Sequence, residues 1–193
     1  MTQTFFHRRG LLLGALAALP LAVACAPTTR VNPLPREVRA GLRLAQVSVS
    51  TQGAAFESSR AADFASRLGP ELQAQLRREF SDRLDPAGMT LAVEVQRFNL
   101  AGGTGTAFGR DQSRLTGSVR ILERDGRLMA SYPVAVIAGE ARETRLGALA
   151  SAAVTTAERF YRTLLSDFSR TTRVEVLGTD LVGARLIRQV TSN

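Results

Sequence analysis

The 193-residue chain holds 25 strongly basic and 17 acidic residues for a formal charge of +8, yet every strong base is arginine and both signs are interleaved along its length. A nucleic-acid surface needs a basic stripe with interleaved aromatics, so neither nucleic acid nor nucleotide is an expected partner. The only histidine is His7 and the only cysteine is Cys25; with His7 in a segment that reads as a removable leader, a His general base, a Cys–His nucleophile and the common zinc ligand sets are all excluded, and no cofactor, metal or enzymatic activity is expected.

The chain opens on a basic stretch, His7-Arg8-Arg9, and an apolar run from Leu11 to Ala24 broken only by Gly14 and Pro20. A spanning helix needs about 20 apolar residues to cross about 30 Å of hydrocarbon. This run is shorter, and its flanks are those of a secretory signal peptide. Arg8-Arg9 with Gly10-Leu11-Leu12 also fits part of a twin-arginine export signal; a plain basic start is the simpler reading. Leu21-Ala22-Val23-Ala24-Cys25 resembles the lipobox of bacterial lipoproteins, in which the peptidase cuts before a cysteine that carries diacylglycerol. Here Ala22 stands where the usual lipobox has Leu, and Leu21 lies one place further out. Ordinary cleavage after Ala24 is the alternative; it would leave a free thiol in an oxidising compartment. Ala26 stands where such lipoproteins carry an inner-membrane-retaining Asp, which implies the periplasmic face of the outer membrane. The expected division is a signal peptide over 1–24, a lipidated Cys25 and tether over 25–41, a globular domain over 42–177 and a tail over 178–193.

Pro27, Pro33 and Pro35, with polar residues between them, predict an extended tether. Leu42 to Ser50 alternates apolar and polar, as a half-buried strand does, with a slip between Leu44 and Val47 that suggests a bulge. Thr51 to Glu57 reads as loop. Ser58-Ser59 can cap a helix beginning near Arg60. Phe64, Leu68, Leu72, Leu76, Phe80 and Leu84 recur every fourth residue, a ladder that winds around a straight helix, so a break at Gly69-Pro70 is expected.

Three strands follow in the pattern: Thr90 to Leu100, Ser113 to Arg124 and Leu128 to Ala138. Asp125-Gly126 is a hairpin signal between the last two. Pro133 predicts an edge position for the last strand. Leu146 to Thr171 carries a helical stripe from Leu149 to Phe168, Val174 to Leu177 fits a short strand, and the tail holds one apolar cluster at Leu186-Ile187. The fold class expected is α+β: a mostly antiparallel four-stranded sheet with helices on one face, in the order β-α-β-β-β-α.

Residues with chemical potential each have a plainer role. The Gly102-Gly103-Thr104-Gly105-Thr106 loop lacks the lysine and following helix of a phosphate-binding loop. Asp111, Glu140, Glu143 and Asp180 are the candidate acids for a carboxylate pair, although their spacing does not bring two together. Ser48, Ser50 and Thr51 have no partner base. Tyr132 and Tyr161 lie at core-facing phase; Phe98 and Phe108 flank the glycine loop, where burial is the plainer reading and exposed anchors for a partner the alternative.

From Leu42 to Thr171 the layout resembles the small bacterial lipoproteins of the ABC-type transport auxiliary kind: lipobox, strand, helix, the alternating strand from Leu91, the Asp125-Gly126 hairpin and a long closing helix. The resemblance implies a non-catalytic accessory protein, anchored through Cys25 in the outer membrane and meeting an envelope complex in the periplasm. It supplies no catalytic residue. A carrier of lipid or another apolar ligand, and a cell-wall hydrolase, are the alternative readings.

Overall fold

Three runs of alternating apolar residues build the centre of the structure, a computed structural model that describes residues 31–101, 112–138 and 153–181. Cys25 and its leader, the Gly102–Thr106 loop with Phe108 and Asp111, Glu140 and Glu143, and the Leu186-Ile187 cluster lie outside the described residues. β3 (Met89–Asn99), β4 (Ser113–Leu122) and β5 (Leu128–Ala138) form an antiparallel meander. Leu91, Val93 and Val95, then Leu115, Val119 and Ile121, then Tyr132, Val134 and Val136 are buried on one face. A bulge between Val95 and Arg97 inserts one residue into β3. It returns Phe98 to the buried face, three positions after Val95, where strict alternation would expose it. The β4–β5 hairpin turns through Gly126, whose φ of +86° favours glycine. β5 is an edge strand and carries Pro133, as the sequence predicts.

β1 (Leu44–Ser50) and β2 (Ala55–Phe56) both pair with β3 in parallel, giving a five-stranded mixed sheet of order β1-β3-β4-β5, with β2 beside β3 past the end of β1. The α+β class holds, with one strand more than the sequence predicts; β2 is too short to show a periodicity. The slip read between Leu44 and Val47 is a register shift between Leu44 and Gln46.

α2 (Ser59–Asp63) and α3 (Ala65–Glu79) make the crossover from the β1–β2 side to β3. The Ser58 hydroxyl caps α2 by accepting from the Ala61 amide at 3.1 Å, and it also donates to the Leu100 carbonyl at 3.1 Å, tying the cap to the end of β3. The break expected at Gly69-Pro70 falls instead at Phe64, with φ −98° and ψ 0°. Pro70 sits inside α3, on its exposed side, where it removes one backbone bond. Burial of Leu68, Leu72 and Leu76 around it outweighs that loss. Because α3 touches both β1 and α4, the winding ladder meets apolar surface on two sides. The ladder ends at Phe80; a 3₁₀ turn over Ser81–Arg83 follows, and Leu84 is exposed.

α4 (Ala153–Leu177) packs along β5, β4 and α3. Phe160, Tyr161, Leu164, Leu165 and Phe168 are buried, and Phe168 comes within 3.3 Å of where a side chain on Gly117 would begin. The strand expected over Val174–Leu177 is the last turn of α4, since Phe168, Thr172 and Val176 continue its buried stripe at a spacing of four. The segment expected to be extended before β1 contains α1 (Arg36–Gly41), which follows Pro35. Leu34 and Leu42 on either side of α1 are buried, so this stretch is packed against the core.

Candidate functional site

Strand directions define two ends of the sheet. β1, β3 and β5 start, or β4 stops, at the end that carries the hairpin. α1 meets the hairpin and the turn before β3 there, leaving a groove of about 680 Å³ between Val38, Leu42, Arg43, Asp85, Met89 and the Glu123–Asp125 tip. Backbone bonds tie its floor: the Asp85 amide to the Leu44 carbonyl at 3.0 Å and the Met89 amide to the Arg43 carbonyl at 2.8 Å. The Arg124 guanidinium donates to the Ala87 carbonyl across it. Gly88 is required here, since a Cβ would lie 2.5 Å from the Arg43 carbonyl carbon.

The same end is fastened by arginine and asparagine. Arg39 is 9 % exposed and donates to the Leu34 carbonyl at 3.1 Å, to the Leu177 carbonyl and to the Asp180 carboxylate at 2.7 Å. A cation at the C-terminus of α4 suits the partial negative charge of that helix end. Gly178, at φ +80°, ends α4, and its amide donates to the Val174 carbonyl at 2.8 Å. Arg39, reinforced by Arg36 at 3.2 Å, holds the Asp180 carboxyl below the usual range. Asn32 donates to the Glu175 carbonyl at 2.7 Å and accepts from the Tyr132 hydroxyl at 2.9 Å, so the incoming chain is bonded to β5 and α4 together. Burial, opposed in part by Arg39, pushes Tyr132 up to about 12.

Two further clusters lie on the helical layer. Arg173, 3 % exposed, donates to both oxygens of Asp82 at 2.9 Å and to the Glu79 carbonyl at 2.8 Å, with its guanidinium 5.4 Å from the Phe80 ring. Arg67 bridges Glu71 at 2.8 Å and Glu158 at 3.2 Å, above the rings of Phe64 and Tyr161. Arg67 holds Glu158 below the usual carboxylate range, with Arg162 adding to it. Tyr161 is buried between Phe64, at 4.5 Å, and Phe98, at 6.1 Å, and burial followed by the Glu71 carboxylate raises its pKa.

The opposite face of the sheet carries no helix among the described residues. Ser50, Glu94, Ser118 and Pro133 form one row across it, and Ser48, Ala92, Arg120 and Ser131 the next. These side chains are short apart from Glu94 and Arg120, which pair at 3.0 Å. These central rows are mostly polar, while Pro133, Ala135 and Ile137 make the β5 margin of the face apolar.

Set against the sequence, Asp180 is engaged by Arg39 and Arg36 rather than by a second carboxylate. Ser48 and Ser50 lie on the open face, and the Ser50 hydroxyl accepts from the Gln52 amide at 3.3 Å. Thr51 packs its methyl 3.7 Å from where a side chain on Gly69 would begin. Phe98, a candidate exposed anchor, is fully buried beside Phe56 and Tyr161. Groups of His, Cys, Asp or Glu able to hold a metal do not occur among the described residues. No local sequence pattern reveals the Arg39 fastening; Pro35 at a helix start and Gly178 at a helix stop are its visible signals.

No family model and no curated protein matches the chain. Some solved structures are distantly similar to it. A "putative lipoprotein" from Caulobacter crescentus is 15 % identical, with 74 % of this chain and 96 % of that one covered at a TM-score of 0.39. A second, described only as an uncharacterised protein, is 13 % identical over 70 % of this chain and 92 % of its own, at 0.42. A PelC dodecamer from Paraburkholderia phytofirmans is 14 % identical over 69 % and 89 %, at 0.33.

Proposed function

We propose that this chain is a lipid-anchored envelope protein whose folded part is a non-catalytic interaction module, auxiliary to a transport or assembly complex at the periplasmic face of the outer membrane. The observation that carries this reading is Cys25, set after a basic-then-apolar leader and six residues before the first described residue, Val31. The open sheet face supports an interaction role, because among the described residues no helix lies upon it and its central rows carry mostly short polar side chains. A lipid-carrier reading would need space between sheet and helices; there, Phe98, Tyr161, Leu164 and Phe168 are packed together.

Cys25→Ala tests the anchor. The variant is expected to move from the membrane to the soluble fraction, and the wild-type N-terminal peptide to carry the mass of a diacylglyceryl group. Membrane retention of the variant together with an unlipidated wild-type mass overturns the reading. Purification of the tagged full-length protein in mild detergent is expected to bring envelope transport or assembly subunits with it.

A further inference from the structure

The described residues expose four large apolar side chains: Val31 at 86 %, Leu128 at 54 %, Ile137 at 46 % and Leu84 at 38 %. Three belong to one end of the molecule. Leu128 opens β5 at the hairpin. Leu84 bridges to Leu44 at the start of β1, across the sheet from Leu128. Val31 precedes Asn32, which is bonded to Tyr132 and to the last turn of α4. Ile137 is nine residues further along β5 than Leu128, about 30 Å at strand rise.

The chain leading back to Cys25 enters at this same end. Val31 is the sixth residue after Cys25, so a fully extended link spans at most about 20 Å. A lipidated Cys25 therefore keeps the hairpin end, and not the Ile137 end, within reach of the bilayer. Exposed apolar side chains that flank such an entry point have a ready partner in the interfacial layer of the membrane, which shelters apolar surface from water. Charges at this end are balanced: Arg36, Arg39, Arg43, Arg83, Arg124 and Arg127 stand with Glu37, Asp82, Asp85, Glu123, Asp125 and Asp180. The contact is then apolar in character, with no requirement for anionic headgroups.

We infer that the hairpin end is a membrane-docking surface, on which Leu84, Leu128 and Val31 touch the lipid interface while the Ile137 end points into the periplasm. This rests on the lipid anchor at Cys25. The test uses the full-length lipidated protein in phosphatidylcholine vesicles containing spin-labelled phosphatidylcholine. Leu84→Cys, Leu128→Cys and Ile137→Cys each receive an environment-sensitive fluorophore, the acylated Cys25 being unreactive. Quenching is expected to be at least threefold stronger at 84 and 128 than at 137. Flotation of the protein with vesicles, but equal or reversed quenching, overturns the docking surface and leaves the anchor standing. Failure to float with the vesicles, with no diacylglyceryl mass, overturns both.

Discussion

At the scale of single residues, three polar side chains take partners from distant parts of the chain. Arg39 joins α1 to the end of α4, Arg173 joins α4 to the turn after α3, and Asn32 joins the entering chain to both β5 and α4. Guanidinium groups suit this work, since each can satisfy main-chain carbonyls and a carboxylate at once. Tyr132 gives such contacts a pH signature. Its ordinary pKa is near 10, and burial raises it to about 12 in the folded state. The neutral hydroxyl is therefore the folded form, and the stability it contributes is complete below pH 10 and declines as pH rises from 10 through 12. Tyr161, also raised by burial, acts in the same direction. Denaturant midpoints measured across pH 8 to 12 should be flat and then fall above pH 10, and Tyr132→Phe should make that fall shallower. An unchanged alkaline slope in the variant would assign it to other groups. These partnerships were largely hidden in the sequence, because each links positions far apart that no local pattern connects.

At the scale of elements, alternation and turn chemistry carried most of the information. β5 is found at its expected bounds, β3 and β4 within two residues of theirs, the hairpin turns at Gly126, and Ser58 caps the helix that follows it. Elements decided by tertiary contacts were not legible. α1 lies in a proline-rich stretch and has six residues, too few to be stable without Leu34 and Leu42 packing beside it. Val174 to Leu177 has the β-branched residues of a strand, yet the stripe begun at Phe160 holds it helical. Pro70 is the clearest case of packing overriding propensity. Since it is exposed and removes a bond to the Ser66 carbonyl, Pro70→Ala should restore that bond and stabilise the domain by about 1–2 kcal/mol, the loss of chain stiffness in the unfolded state limiting the gain. Chemical denaturation checks this. A loss of stability would mean that α3 needs the local distortion the proline imposes.

At the scale of the whole molecule, the helical layer is a filled core and the other sheet face is open among the described residues, so the two sides respond differently to substitution. Thr116→Glu with Ser118→Arg changes half-buried positions on the open face, sets each new charge opposite one of the other sign (Arg97 and Glu94), and should shift the melting temperature by only a few degrees. The same variant should lose partners recovered with the wild-type protein; full recovery would place the contact elsewhere. The candidate site was legible only as Cys25 and its leader, since the surface that α1, the hairpin and the β3 turn form together exists only after folding. The sheet's connectivity also bears on the order in which the chain is assembled. β3, β4 and β5 are antiparallel and consecutive, whereas β1 must pair Gln46 with Thr90 across α2 and α3. Contacts that close long loops form late. The meander is thus the natural folding nucleus, and the first strand, together with α1, joins a framework made from residues that follow it in the chain. On the proposed export from the N-terminus, the part nearest the proposed anchor would emerge first and be fixed last.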